Sequence, residues 1–354
     1  MRLLHYNFPI PRSPNCAISQ SIQSLTFAVP HMQAFYEQLL ILVSTPFYVV
    51  IIALEVVLSN YHHRKLYSWR DTAVNVYLML LNTTIDVLFR GFYIALLAYC
   101  YHHRYLEWHD AVMYWALLLL AEDFLYYWLH RFDHEIRLFW AVHVTHHSSD
   151  HLNFTVGFRS SVFQPLYRFI YFIPLAILGF KPLDIVFMYS LTQIWGIFVH
   201  TELIRKMGFL EYFMVTPSHH RVHHASNPKY LDRNLGMFLI IWDKMFGTFQ
   251  PELEEKQYQS LKYGLTKPLE KVTPTHIVFH EWKQIAMDMK RTDIGWKEKI
   301  YYLFGPPGWS HDGSRQTSEQ LREEEANVTN ENESGENLPY PDENLAPAVT
   351  SIKQ

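Results

Sequence analysis

The chain has 354 residues, a net charge of −4, 16% aromatic residues and only two cysteines. That length suits one large or two ordinary domains, and the charge gives no basis for binding nucleic acid. Cys16 and Cys100 exclude a disulfide framework and thiolate zinc sites, and they point to chemistry facing a reducing compartment. The aromatic content of 24 Phe, 23 Tyr and 10 Trp fits a packed core and the interfacial belts of a membrane protein.

Residues 1–33 carry Pro9, Pro11, Pro14 and Pro30 and no cleavable signal pattern, and they read as a flexible leader. Leu39 to Leu58 is the first long apolar run. Twenty residues at ~1.5 Å each cover the ~30 Å core of a bilayer. Glu55 is expected to reach the interface, followed by the basic and aromatic flank Tyr61-His-His-Arg-Lys-Leu-Tyr67. Ala73 to Tyr101 is apolar but holds Asp86 and Arg90, an i, i+4 pair. It reads either as one tilted span or as a helical hairpin. The His62-His63 and His102-His103 pairs read as interfacial.

Ala111 to Leu129 runs as an apolar helix into a first histidine box, His130 and His134. A second box follows, His143, His146 and His147, and a third about seventy residues later, His220, His223 and His224. Residues three and four apart share a helix face, so each box aims its imidazoles at one point. Eleven of the 21 histidines fall between His130 and His224. Imidazoles this close cannot all be charged; they are neutral ligands of a metal. One zinc needs about four ligands, so eight suit two metals. The donors are nearly all nitrogen, unlike carboxylate-rich di-iron bundles.

Val162 to Phe180 and Ile185 to Val199 read as two spans joined at Lys181-Pro-Leu-Asp, returning to the starting side. That placement delivers His200 to the boxes as a ninth ligand. A metal-bound histidine usually hands its other N–H to a carboxylate or carbonyl. Asp123, up to three turns before the first box, is a candidate for that role. Asp133 and Glu135 flank His134 and are polar candidates too. His219, the extra histidine of the third box, and Asn234 and Asp243 beyond it are further supports. Residues 34–249 thus form a membrane-embedded core, residues 250–311 a cytosolic cap with amphipathic helices, and residues 312–354 an acidic, disordered tail. The expected fold is an all-α, polytopic membrane bundle with its di-metal site at one membrane face.

The three boxes, with Trp242-Asp-Lys-Met-Phe-Gly-Thr-Phe249, resemble the fatty acid hydroxylase and sterol desaturase superfamily of integral-membrane di-iron enzymes. The flanking residues are most similar to its alkylglycerol monooxygenase family. They include Tyr127-Trp-Leu-His-Arg-Phe-Asp-His-Glu135, Arg159-Ser-Ser-Val162, Phe198-Val-His-Thr-Glu202 and Gly305-Pro-Pro-Gly-Trp309. The similarity runs from roughly residue 35 to 310. It implies two irons held by the eight box histidines, molecular oxygen, and tetrahydrobiopterin as reductant, with Glu135 matching a glutamate tied to pterin use. It also implies an alkylglycerol lipid as substrate, hydroxylated on its ether carbon to give a fatty aldehyde and a glycerol derivative. It further implies a separate pterin-regenerating reductase that forms no stable complex with the protein. The location implied is the endoplasmic reticulum membrane, with the boxes facing the cytosol. Family members continue into further apolar spans where this sequence turns acidic.

From the residues alone, two other readings stay open. One is a sterol or sphingolipid hydroxylase or desaturase, because box spacing does not separate these reactions. The other is a membrane zinc binder or transporter, since imidazole suits zinc and iron alike. A transporter places ionisable groups inside its spans, whereas these boxes fall at span ends.

Overall fold

The computed structural model describes residue 40 and residues 42–333; the leader and the end of the acidic tail lie outside the described residues. Among those described, eleven α-helices and no strand form the chain, with two isolated bridges. Three helices are long and apolar enough to cross a membrane: α1 (Leu42–Tyr61), α2 (Trp69–His102) and α3 (Ala111–Glu135). Their outward faces carry large apolar side chains such as Leu54, Val57, Leu88, Phe92 and Val112, all exposed, as a lipid-facing bundle requires.

α1 is tied inward by one carboxylate. Glu55 is 1% exposed and does not reach the interface as expected. It accepts the Phe154 backbone N–H (2.9 Å) and the hydroxyls of Tyr67 and Thr201. A carboxylate at membrane depth is costly unless every lone pair has a donor, and three donors meet this one.

Residues 73–101 belong to a single helix. α2 runs 34 residues, about 51 Å at ~1.5 Å per residue. Asp86 pairs with Arg90 (2.7 Å) and also with Arg168, so no carboxylate charge inside the span is left unpaired there. α3 starts on Asp110, whose carboxylate accepts the Met113 N–H (2.7 Å), a standard N-cap. It ends at Ile136, a single extended residue, and α4 (Arg137–His147) begins at once.

The two apolar stretches expected as spans after residue 162 fold as a helical hairpin with unequal arms. α5 (Arg168–Ile177) has 10 residues, about 15 Å, and α6 (Pro182–Phe198) has 17. Pro165 falls in a 3₁₀ turn before α5 and Pro174 inside it, which limits the helix. The turn between them needs Gly179, at φ +90°, where a Cβ would sit 2.2 Å from the Leu106 carbonyl. The hairpin packs on α2 and α3 through Tyr93, Leu97, Leu118, Phe172 and Ile185.

α7 (Pro217–His224) carries the third box, and α8 (Ile241–Phe246) follows and ends on Gly247 at φ +76°. The cap helices are α9 (Pro274–Lys290) and α10 (Trp296–Phe304). Arg137 of α4 bolts them on, donating to Glu281 (2.6 Å) and Asp288 (2.7 Å), and Asp288 also takes Arg315. The segment expected to be disordered from residue 312 is helical over α11 (Ser318–Glu333). Thr317 and Gln320 cap it reciprocally. Arg322 donates to the Leu231 carbonyl (2.8 Å) and Tyr258 to Glu325 (2.6 Å). Composition hides this helix because its stability comes from docking, not from apolar content.

Arg159 is fully buried and joins the loop after α4 to α2. It donates to Asp71 (3.0 Å), Asn75 (2.8 Å), Ser148 Oγ (2.9 Å) and the Thr145 carbonyl (2.9 Å). Removing one partner of a buried pair costs about 3–5 kcal/mol, whereas exposed pairs contribute about 0–1 kcal/mol. Arg159→Leu is therefore expected to lower the thermal midpoint of the detergent-solubilised protein by several degrees. Arg291→Leu, which removes the exposed pair with Asp293, should leave it within a degree, and differential scanning fluorimetry compares the two.

Candidate metal centre

Four chain segments bring nine histidines together. His130 and His134 sit on the last turns of α3. His143, His146 and His147 lie on α4, which the break at Ile136 folds back so that the rings of His130 and His143 stand 4.8 Å apart. His220, His223 and His224 occupy one face of α7. His200 lies just past the end of α6. They sort into two groups. His130, His134, His143, His147 and His223 form one; His146, His200, His220 and His224 form the other. Within each group one ring nitrogen per residue lies within 4.8 Å of all the others.

The hydrogen bonds fix which nitrogen faces inward. A carbonyl accepts only, so a ring nitrogen beside one must carry the proton. His130 Nδ1 donates to the Leu235 carbonyl (2.7 Å), His146 Nδ1 to that of Arg159 (2.9 Å), His200 Nδ1 to that of Gly196 (2.6 Å) and His223 Nδ1 to that of Arg233 (3.1 Å). His134 Nδ1 points at Asp232 Oδ1 (3.0 Å). His143 Nδ1 lies 3.2 Å from Ser161 Oγ and 3.8 Å from Asp133 Oδ2. In the neutral rings, Nε2 is then left with a lone pair.

Those Nε2 atoms converge. His130 and His143 approach to 3.1 Å, His143 and His147 to 3.2 Å, His200 and His220 to 2.9 Å, His200 and His224 to 3.1 Å, and His146 and His200 to 3.3 Å. Where both nitrogens have their proton on Nδ1, as in the His146–His200 pair, no hydrogen bond joins them and the lone pairs repel. His134 Nε2 and His223 Nε2 are buried with no hydrogen-bond partner. Cations within the two groups would satisfy all these donors at once. The donor set fits a pair of divalent transition metals bound by nitrogen. Burial, and then the neighbouring rings, hold His143, His147, His200, His220, His223 and His224 well below the ordinary imidazole range. Burial brings His146 down to about 4. The rings are thus poised neutral, as metal binding requires.

The other sequence candidates stand around this centre without entering it. Asp123 touches no histidine; it accepts the Phe238 and Leu239 N–H groups (both 3.0 Å) and the Trp242 indole (2.9 Å). Asp243 accepts the Leu235 (2.7 Å) and Gly236 (2.8 Å) N–H groups, so it shapes the turn whose carbonyl holds His130. Asn234, at φ +54°, donates to the His219 carbonyl (3.0 Å) and to that of Gln250 (2.7 Å). His219 belongs to neither group; its Nδ1 lies 3.2 Å from the Met214 carbonyl at the start of α7. Glu135 is exposed and paired with Arg131 (2.8 Å), turned away from the cluster. Asp133 is buried and accepts Gln164 (2.8 Å) and Tyr167 (2.6 Å). Asp232, Ser161 and the Arg159 carbonyl support ligands, yet no helical spacing relates them to a box. Asp232 has one local mark, its left-handed φ of 54°, a conformation that Asp and Asn tolerate.

Loss of one ligand should empty one position more than the other. Metal content by inductively coupled plasma mass spectrometry is expected at about two per chain. His143→Ala should deplete the first group, and His220→Ala the second, each toward one metal per chain. Two metals retained in both variants would contradict the grouping.

A fatty acid hydroxylase family model matches residues 115–248. Alkylglycerol monooxygenase of Xenopus tropicalis is 37% identical over 258 residues, 72% of this chain and 54% of its own length. The Homo sapiens alkylglycerol monooxygenase is 36% identical over 273 residues, 75% of this chain and 59% of its own. Lathosterol oxidase of Mus musculus is 30% identical over 136 residues, 37% of this chain and 43% of its own. The chain spans under three-fifths of the length of the alkylglycerol monooxygenases it matches. No solved structure matches. The matched residues 115–248 contain all nine clustered histidines, so the metal centre lies in the part of the chain that is similar to the fatty acid hydroxylase family.

Proposed function

We propose that the protein is a membrane monooxygenase that hydroxylates the ether-linked carbon of alkylglycerol lipids. The observation that carries this reading is the pair of all-imidazole groups at the end of a membrane-crossing helix. The similarity to alkylglycerol monooxygenases over about three-quarters of the chain supports the substrate. Side chains alone do not oxidise an unactivated C–H bond, so the chemistry must come from a metal or cofactor. Two irons, held by the five histidines around His143 and the four around His200, would supply the activation of dioxygen.

The proposed reaction balances. One oxygen atom enters the ether carbon's C–H bond and the other leaves as water. The two electrons and two protons required would come from tetrahydrobiopterin, which would leave as a dihydropterin. The hydroxylated ether is a hemiacetal. Breaking its C–O bond to the glycerol oxygen releases a fatty aldehyde and a glycerol derivative.

This chain's own residues have three tasks in that scheme. The carbonyls of Leu235, Arg159, Gly196 and Arg233 hold four rings in one tautomer, which keeps Nε2 inward. Asp232 holds His134, and its negative charge makes that ring a stronger donor. The lipid-facing helices let an alkyl chain approach sideways from the bilayer while its polar head stays at the surface. In this reading the boxes face the cytosol across the endoplasmic reticulum membrane, where a soluble reductase regenerates the pterin.

Membranes from cells expressing the chain, supplied with an alkylglycerol, should form fatty aldehyde with tetrahydrobiopterin and not with an NADPH-driven electron-transfer reductase. Bound iron without aldehyde would direct the search to sterol or sphingolipid substrates. Zinc in place of iron, with no turnover of any lipid, would refute the oxygenase reading.

A further inference from the structure

Counted from Ala111, the first residue of α3, the ~30 Å of a bilayer core is used up in twenty residues at ~1.5 Å each, at His130. Asp123 to Trp128 therefore lie within about 10 Å of the core's end, on the membrane side of the histidines. The chain on both sides of the third box packs at that depth. After the box, the Trp242 indole donates to Asp123 (2.9 Å), and its ring lies 5.1 Å from Phe124. Phe246 packs 5.5 Å from Tyr127 and 5.1 Å from Trp128. Before the box, the Val215 carbonyl accepts the indole of Trp195, a residue of α6 (2.8 Å).

The two pieces are tied to each other. The Ile240 N–H donates to the Phe213 carbonyl (3.0 Å), and Lys244 Nζ to that of Tyr212 (2.7 Å). Residues 205–213, with the 3₁₀ turn Gly208–Tyr212, thus stand beside α8. Their outward face is apolar and aromatic: Phe209 is 70% exposed, Tyr212 75% and Met245 65%. Arg205, Lys206 and Lys244 are exposed with them. The two acids of these segments are turned inward. Glu211 accepts the Met207 N–H (2.8 Å), and Asp243 accepts the Leu235 and Gly236 N–H groups. A face of large apolar side chains rimmed by cations alone fits a headgroup boundary of negative charge. It also continues the lipid-facing surface of α3 to its end.

We propose that residues 205–213 and α8 form a wedge seated in the leaflet on the histidine side, with Phe209, Tyr212 and Met245 among the upper acyl chains and Arg205 and Lys206 on anionic headgroups. The wedge runs into Thr216, the residue that starts α7, so its seating fixes the depth of the third box. The inference is independent of which lipid is oxidised.

The test uses the full chain in nanodiscs, with Cys16 and Cys100 replaced by serine and an environment-sensitive fluorophore on Tyr212→Cys or Met245→Cys. Leu88→Cys, on the lipid face of α2, and Glu255→Cys, exposed on the cap, are the references. Nitroxide near the headgroup end of a lipid's acyl chain should quench Tyr212 and Met245 labels strongly, and aqueous iodide severalfold less than it quenches Glu255. If the Tyr212 label also sheds iron, the Met245 label decides. Nitroxide-bearing phosphatidylserine should reach half of its full quenching at a lower lipid fraction than nitroxide-bearing phosphatidylcholine. Arg205→Gln with Lys206→Gln should reduce that preference about fivefold for each residue lost, the order expected for a basic side chain at an anionic surface. Iodide quenching equal to that at Glu255 would overturn the wedge. So would labels shielded from both quenchers in discs holding two copies, which would give the face to a second chain. An unchanged preference in the double variant would overturn the anionic headgroup contact.

Discussion

The structure depends on mutual repulsion between lone pairs. Nine imidazoles converge on two points, and along this cluster Nε2 atoms stand about 3 Å apart. Left to themselves such rings would turn to pair Nδ1 with Nε2, or take up protons and separate. The chain prevents both. Burial makes the charged form costly, and backbone carbonyls from four different places take the Nδ1 protons. The loops that supply those carbonyls must therefore be as well fixed as the helices that carry the rings. Asp243 fixes Leu235, Arg159 ties its own segment to α2, and Asn234 with Gln250 closes the loop that holds Arg233.

The two groups are not equivalent. The first has carboxylates nearby: Asp232 on His134 at 3.0 Å, and Asp133 3.8 Å from His143. The second is oriented by the Arg159 and Gly196 carbonyls, with His220 Nδ1 unpartnered. A carboxylate behind an imidazole raises its basicity and offsets part of a metal's charge; a carbonyl does so far less. A metal in the first group would therefore be the more electron-rich of the two.

The boxes were legible because helical spacing is local. His130 and His134, or His220, His223 and His224, share a face whatever the rest of the chain does. His200 was legible for another reason: an apolar helix ending in a histidine must leave it at a membrane face, and the other boxes also end apolar runs. The supports were not legible. Asp232 and Arg159 work through contacts tens of residues away, and a sequence carries no period for those. Asp123 had the expected residue type but meets Trp242 and two backbone amides. α5 is shorter than the apolar stretch 162–180 because Pro165 sits in a 3₁₀ turn before it, which hydropathy does not register. α11 was missed for the opposite reason, since an acidic segment gains its helix from Arg322 and Tyr258 contacts that composition does not show.

α3 is where the membrane and the metal chemistry meet. It is the least lipid-exposed of the three spanning helices, with 33% of its apolar window buried against 11% and 17% for α1 and α2. That burial accommodates Asp123 and Asp133, charges that a lipid-facing helix would not tolerate. Each spends its oxygens outward, Asp123 on the 238–242 segment and Asp133 on Gln164 and Tyr167. The helix thereby anchors the chain before and after the third box, and so it sets where the rings of α7 meet those of α4. A membrane span that carried only apolar residues could deliver His130 and His134 to the surface, but it could not hold the remaining seven in register.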